Sequence, residues 1–227
     1  MPFDEPIRLA AKAYACNDLP GDVAWHVDFF DFVSDLDLRE RIGQEFYAAR
    51  YLYKIWEGLR VDEPWAAQAQ IQLQVQQYAS IYEAALHHVL LVEAAETQEV
   101  QRLFEYEALV ERALPGHIMD RIRGLESTDS NEIVGAVRAT RRTQESKIRF
   151  DSKVAAAVTL GMVDADLGRE IIGFYTARNY MHIHAELRQK DFEWQVSFAR
   201  DAYRRLSPFK TQVSAWLERS RKGIASG

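Results

Sequence analysis

The chain has 227 residues, of which 48% are hydrophobic, and it carries a formal net charge of −6. This composition is ordinary for a globular protein with a buried core. No apolar stretch approaches the roughly 20 residues needed to span a bilayer, and the acidic balance argues against broad, non-specific attraction to nucleic acid. Cys16 is the only cysteine, so an internal disulfide is excluded. A soluble cytoplasmic protein that has no membrane partner is therefore expected.

The N-terminal part of the chain is acidic and helical in pattern. Residues 1–64 hold 7 basic and 13 acidic residues, which accounts for the whole net charge. Over residues 22–60, apolar side chains recur at steps of three and four, which is the spacing of one helix face. Gly58 and Pro64 mark the end of this predicted helix.

A second long helix is predicted from about Trp65 to Glu96, because its apolar and aromatic stripe is interrupted by neither glycine nor proline. Residues 97–146 are less regular. The sequence LPGHIMD predicts a turn followed by a short helix, and GLESTDSNE has the composition of a loop. The sequence AVRATRRTQES has both weak helical and weak strand character, so its structure stays open.

Regular structure returns at Phe150, where the sequence predicts a helix, a stop and a second helix. Asp151 or Ser152 is expected to cap the first of these helices. Gly161 suits a left-handed exit from the first helix, and Asp164 is expected to cap the second. This helix–stop–helix unit leads directly into the most unusual stretch of the chain.

A final pair of helices is predicted over 191–206 and from 208 to about 219, with a proline in the first turn of the last one. No period of 20–50 residues recurs, which excludes a solenoid. Since strand signals are few, the predicted fold is all-α, a helical bundle. We divide it into an acidic N-terminal helical extension (1–64), a helical domain (65–220) and a disordered tail (221–227).

The stretch FYTARNYMHIHAELRQK carries the candidate functional residues. On an ideal helix with about 100° per residue, Arg178 continues the apolar stripe of the preceding turns, and His182 lies about 40° away on the same side. His184 lies about 120° from Arg178, so these two converge only if the helix bends or ends, or across a two-fold axis. Because burying an unpaired guanidinium is costly, Arg178 needs a partner, a water-filled cleft or a second subunit. Helical geometry alone favours the pair of Arg178 and His182.

The same residues also have a structural interpretation. An arginine on an apolar stripe often pairs with a carboxylate, and Glu186 follows His182 at a spacing that occurs in many structural helices. A metal site of His182, His184 and Glu186 is a further alternative, but no second cluster supplies more ligands. No metal and no other cofactor is therefore expected.

A basic segment, VRATRRTQESKIRFDSK, precedes these helices and ends at Lys153. Its cations could bind phosphates although the whole chain is acidic, and the alternative is a solvated surface. The candidate substrate-binding residues are Arg138, Arg141, Arg142, Lys147 and Arg149. Glu83, with His87 and His88, could join a site only through a tertiary contact.

The sequence RNYMHIH resembles the arginine–polar–x–histidine motif of the HEPN superfamily (higher eukaryotes and prokaryotes nucleotide-binding). In that superfamily an arginine is followed, after four to six residues, by a histidine, and the residue next to the arginine is commonly Asn, Asp or His. Arg178, Asn179 and His184 fit with a gap of five, whereas His182 falls outside this spacing. The preceding helix–turn–helix and the sequence YASIYEAALHHVL resemble helices of such domains, so the resemblance covers roughly residues 65–206.

The resemblance implies a HEPN-like domain that forms a homodimer with two motifs facing each other in a cleft. Many members are metal-independent endoribonucleases of toxin–antitoxin, CRISPR or phage-defence systems. In that case RNA is the substrate and an antitoxin is a candidate protein partner. The implied roles are His184 as general acid and base, Arg178 as phosphate and transition-state binder and Asn179 as positioning residue, with His182 as the reserve. Other members are non-catalytic, so the alternative is a helical interaction or regulatory protein.

Overall fold

The computed structural model describes residues 3–60, 63–123, 135–180 and 196–225. Helices dominate these residues, which confirms the predicted all-α bundle. The helices are α1 (Glu5–Asn17), α2 (Val23–Asp28), α3 (Leu36–Gly58), α4 (Pro64–His88), α5 (Gln98–Leu103), α6 (Gly116–Arg123), α7 (Phe150–Thr159), α8 (Ala165–Asn179), α9 (Val196–Arg204) and α10 (Leu206–Ala225). Two strands, β1 (Glu105–Glu111) and β2 (Ala136–Arg142), form an antiparallel pair.

Helix α4 lies at the centre of the bundle, in contact with α3, α7, α8 and α9. A helix with neighbours on several sides must be apolar around most of its circumference, and α4 buries Tyr78, Tyr82 and Leu86 completely. The Tyr82 hydroxyl donates a hydrogen bond of 2.8 Å to the Ala202 carbonyl of α9. The Tyr82 ring also stacks on Phe174 of α8, with 5.9 Å between centroids. Helix α4 thereby fixes the position of α8, which carries Arg178 and Asn179.

The N-terminal helices contribute to the same hydrophobic core. Phe46 of α3 packs against Tyr78 of α4, with 6.5 Å between ring centroids. The single helical stretch predicted over 22–60 is two helices, α2 and α3, with a break before Asp35. The break has a local cause, because the Asp35 side chain caps α3 by accepting a hydrogen bond of 3.0 Å from the Leu38 N–H.

The segment that the sequence left open contains the two strands, which we call the β-arm (residues 105–111 and 136–142). Glu105 lies opposite Arg142 at one end of this pair. Most side chains on both faces are exposed, and Leu109 is 74% exposed. Because side chains alternate between the faces of a strand, Arg141 points to the face opposite that of Arg138 and Arg142.

The unit of α7, the turn and α8 follows the sequence prediction except at the N-terminal cap of α7. Gly161 adopts the left-handed conformation at φ +67°, and the Asp164 side chain caps α8 by accepting a hydrogen bond of 2.7 Å from the N–H three residues later. The prediction that Asp151 or Ser152 caps α7 is wrong, because the extended Arg149 occupies the cap position. Asp151 lies in the first turn instead, where it forms an ion pair of 2.7 Å with Arg149.

The remaining boundaries differ from the predictions by a few residues. Helix α4 ends at His88 and continues as a π-helical turn, Val89–Glu93, short of the predicted end. Helix α10 ends at Ala225, beyond the boundary placed after residue 220. The predicted start of the penultimate helix, at 191, lies outside the described residues. In the described part of the chain, no helix combines the length and apolar character that crossing a membrane requires.

Candidate functional site

Arg178 lies in the last turn of α8 and forms an ion pair with Glu83 of α4. The two side chains are 33% and 35% exposed, so the pair lies at the surface of the bundle and solvent reaches it. The guanidinium also lies over the Tyr175 ring, with 5.5 Å between Cζ and the ring centroid. The expectation that Arg178 needs a partner is confirmed, and the partner is a carboxylate of the same chain.

A second polar network lies one turn further along α4. His87 follows Glu83 by four residues, which places both on one face of the helix. The Lys153 ammonium of α7 donates to Nδ1 of His87 at 2.7 Å. The opposite ring nitrogen, Nε2, lies 2.6 Å from Oε1 of Glu145. His87 thus bridges the Lys153 ammonium and the Glu145 carboxylate through its two ring nitrogens.

Lys153 is the buried member of this network. It is only 5% exposed, and this burial lowers the pKa of its ammonium, while the carboxylates of Glu83 and Glu145 oppose the shift. A lysine whose pKa is lowered by burial releases its proton more easily than a solvated one. Glu83 pairs with Arg178 and its carboxylate also acts on Lys153, so the polar cluster of Glu83, His87, Glu145 and Lys153 lies beside Arg178.

Asn179 points away from this cluster, since neighbouring residues of a helix differ by about 100° in direction. It is exposed and lines a pocket of about 420 Å³ between α7 and α8. Arg149 and Tyr175 line the same pocket, whereas Arg178 does not. Tyr175 thus lies between Arg178 and Asn179. Its ring is below the Arg178 guanidinium, and the same side chain lines the pocket of Asn179.

The basic residues of the segment before α7 are only partly brought together. Arg142, Lys147 and Arg149 line an open groove of about 580 Å³ between α5, the β-arm and α7. Since Arg149 also lines the pocket of Asn179, the groove leads to the C-terminal end of α8. Arg138 and Arg141 are exposed on opposite faces of the β-arm, and neither lines this groove.

The two candidate histidines, His182 and His184, lie outside the described residues. Helical geometry favours His182 and the family resemblance favours His184, and the choice between them stays a prediction. Glu186 of the alternative metal site lies outside the described residues as well. Within the described ranges, no group of three or more His, Cys, Asp or Glu side chains is placed to hold a metal ion.

The residues that sequence reasoning did not assign to the site are Glu145 and Lys153. Lys153 was part of the basic segment, but its sequence neighbours give no sign that it is buried beside His87. The tertiary contact required for Glu83 to join the site is present, with Arg178, whereas the contacts of His87 are with Lys153 and Glu145. His88 does not take part, because its Nε2 lies 2.9 Å from Oγ of Ser34 on another side of α4.

Comparisons of the chain with protein-family models, with curated proteins and with solved structures found no match in any of the three. The fold and the polar residues at the ends of α4, α7 and α8 are therefore the basis on which a function can be argued.

Proposed function

We propose that this protein is a metal-independent endoribonuclease of a toxin or phage-defence type, which cleaves RNA through Arg178, Asn179 and His184 at the cleft of a homodimer. The observation that carries the proposal is the position of Arg178. Its guanidinium is held by Glu83 and Tyr175 at the end of α8 but remains one-third exposed. An arginine in this setting is oriented before the substrate arrives and is still accessible to a phosphate.

The chemistry requires few groups. The 2′-hydroxyl of the RNA attacks the neighbouring phosphorus, and the bond to the 5′-oxygen of the next nucleotide breaks. Arg178 binds the phosphoryl oxygens and stabilises the charge that builds on them. His184 takes the proton of the 2′-hydroxyl and returns one to the leaving oxygen, with His182 as the reserve. These histidine roles come from the sequence motif. Asn179 positions the histidine or the phosphate.

The groove beside the β-arm supports a path for RNA. Arg142 and Lys147 line it, and Arg149 connects it to the pocket of Asn179. Among the described residues Lys147 has no ion pair or hydrogen-bond partner for its side chain, so its charge is available for a phosphate. Arg138 lies on the same face of the β-arm as Arg142 and extends the basic surface outward, whereas Arg141 lies on the other face. Contacts of this kind bind the RNA backbone without reading its sequence.

Cleavage of single-stranded RNAs of varied sequence in the presence of EDTA tests this proposal. We expect the wild type to cut, and Arg178→Ala and His184→Ala to be slower by about 100-fold or more, as for the loss of a donor that stabilises transition-state charge. Arg169→Ala is the matched control, because Arg169 is on the same helix and, among the described residues, its ion pair is with Asp166 of that helix. A wild type that is inert on all RNAs contradicts the proposal.

A second candidate function is a non-catalytic helical interaction or regulatory protein. The ion pair of Arg178 with Glu83 favours it, because this pair already compensates the guanidinium charge within the subunit. In this case Arg178, Asn179 and the histidines form polar contacts in a dimer or partner interface. Light scattering distinguishes the two functions: His184→Ala leaves the assembly intact if His184 is catalytic and weakens it if His184 lies in the interface.

A further inference from the structure

A separate pocket lies on the other side of α4, between α3, α4 and α9, and has a volume of about 330 Å³. This volume is at the lower end of the roughly 300–1,000 Å³ that small-molecule sites occupy. None of the residues that line it belongs to the site around Arg178. Its charged and aromatic lining residues include Arg50, Lys54, Tyr78, Arg200, Tyr203 and Arg204.

The pocket is positively charged although the whole chain is acidic. Lys54 is neutralised, since its ammonium bonds Glu57 at 2.6 Å and Asp18 at 3.1 Å. Among the described residues that line the pocket, Glu57 is the one carboxylate. The remaining cations, Arg50, Arg200 and Arg204, have no carboxylate partner among the described residues. Three guanidinium groups around one small cavity favour an anionic ligand, because their mutual repulsion is relieved when the anion binds.

Two polar groups in the wall of the pocket are buried and have no hydrogen-bond partner among the described residues. The Tyr78 side chain is 1% exposed, and its hydroxyl has no hydrogen-bond partner in the described part of the chain, although the Arg50 guanidinium lies near it. Nε of Arg50 is likewise buried and unpaired. Buried polar groups without a partner are rare in native proteins and are destabilising. Because burial raises the pKa of Tyr78, its hydroxyl stays protonated and is a donor, so one acceptor oxygen would satisfy both groups.

Aromatic rings hold the central arginine in place. Cζ of Arg50 lies 4.2 Å from the Tyr203 ring centroid and 5.2 Å from that of Tyr53. Such stacking orients a guanidinium and leaves its edge free to bond oxygen atoms. The apolar side chains of Ile71 and Ala199 also line the pocket. A ligand that fills this cavity therefore combines an anionic group with a ring or another largely apolar part.

We propose that the pocket between α3, α4 and α9 is a binding site for a small phosphate monoester of about mononucleotide size. The phosphate accepts hydrogen bonds from Arg50 and Tyr78 at the buried end, and Arg200 and Arg204 close over it from α9. The ring of the ligand packs against the tyrosine and aliphatic side chains. This proposal does not depend on the proposed ribonuclease activity, because the two sites share no residue.

Isothermal titration calorimetry with four compounds tests the site. Adenosine 5′-monophosphate, ribose 5-phosphate, inorganic phosphate and adenosine separate the contribution of the phosphate from that of the ring. We expect saturable binding of adenosine 5′-monophosphate, weaker binding of the two phosphates that lack a base, and the weakest binding of adenosine. Absence of saturable binding by all four compounds overturns the proposal, and binding of inorganic phosphate alone overturns the ligand size.

Variants of the exposed arginines keep the test independent of folding. Arg200→Gln and Arg204→Gln are surface changes on α9, and each is expected to weaken the binding of adenosine 5′-monophosphate about tenfold or more, as for the loss of a charged hydrogen bond. Arg41→Gln is the matched control, because Arg41 lies on the same helix as Arg50 but pairs with Glu45 outside the pocket. Equal affinities for the wild type, Arg200→Gln and Arg204→Gln place the binding elsewhere and overturn the assignment.

Discussion

Arg178 and Glu83, which are 95 residues apart in the chain, form the ion pair that joins the end of α8 to α4 beside the candidate site. The pair orients the guanidinium and also compensates its charge. A pair that solvent reaches contributes only about 0.2–1 kcal/mol to stability. A purely structural role and a phosphate-binding role therefore predict different behaviour for variants of the two residues.

Glu83→Gln separates these roles. Removing the carboxylate frees Arg178 and removes a negative charge that repels RNA, so we expect this variant to bind RNA at least as tightly as the wild type and to stay folded. Arg178→Ala should weaken RNA binding and stop cleavage at a similar stability. RNA affinity by fluorescence anisotropy and stability by urea denaturation measure the two effects. If both variants lose the same amount of stability and neither changes RNA binding, the pair is only structural.

The contact between His87 and Lys153 predicts an unusual stability pattern. His87→Ala removes the acceptor of a buried ammonium, which should lower the free energy of unfolding by about 1–3 kcal/mol. Adding Lys153→Met to this variant should recover most of the loss, because no unpaired charge then remains buried. Urea denaturation of the single and double variants tests this, with the exposed His117→Ala as control. Equal instability of His87→Ala and the double variant would rule out the proposed coupling.

His26 should make the fold sensitive to mild acid. It is completely buried, its Nδ1 donates to the Asp22 carbonyl at 2.7 Å, and its Nε2 has no partner in the described part of the chain. Burial lowers its pKa, the nearby Arg50 lowers it further, and contacts with Asp22 oppose the shift. Below the ordinary pKa of about 6.5, His26 binds a proton in the unfolded chain but stays neutral in the folded chain.

The free energy of unfolding should therefore not depend on His26 above about pH 6.5. Below that value it should fall, by at most about 1.4 kcal/mol per pH unit, until the folded-state pKa is reached. His26→Gln keeps a donor but does not titrate, so the difference in pH slope between it and the wild type isolates this group. Thermal unfolding across the range from about pH 5 to 7.5 measures the slopes. Parallel curves for the two proteins are incompatible with a buried neutral His26.

Gly161 tests the backbone of the turn that positions α8. Its φ of +67° is in the left-handed region, and an added Cβ would have no atom within 4 Å. Gly161→Ala should then cost only the backbone penalty, about 1–2 kcal/mol, and Gly161→Asn should cost less because asparagine tolerates this conformation. Chemical denaturation gives both values. A Gly161→Ala variant as stable as the wild type would show that the turn adopts another conformation.

The sequence predicted what Arg178 requires but not which residue provides it. The apolar stripe of α8 places an arginine where a partner is needed, since helical spacing is a local property of the chain. The partner, Glu83, comes from a distant helix whose packing against α8 depends on the whole core. Lys153 was missed for the same reason, because its burial follows from the packing of α7 on α4 and is not encoded in its neighbours.

The strands show where local preference is overridden. The sequence of β1, EYEALVE, is rich in residues that favour helices, yet it pairs with β2 in full register. Strand formation depends on the partner strand more than on intrinsic preference, and the partner is separated from β1 by α6. Glycines and helical stripes are local signals, so α7, the Gly161 turn and α8 were predicted closely, apart from the cap of α7.

The most direct test of the proposed function compares an RNA oligonucleotide with the DNA oligonucleotide of the same sequence, in EDTA, with product ends identified by mass spectrometry. We expect the wild type and Arg169→Ala to cut only the RNA and to leave a 2′,3′-cyclic phosphate, because the 2′-hydroxyl is the nucleophile. Arg178→Ala should leave both strands intact. Equal cleavage by Arg178→Ala and the wild type, or cleavage of the DNA, would contradict the assignment of Arg178 to the reaction.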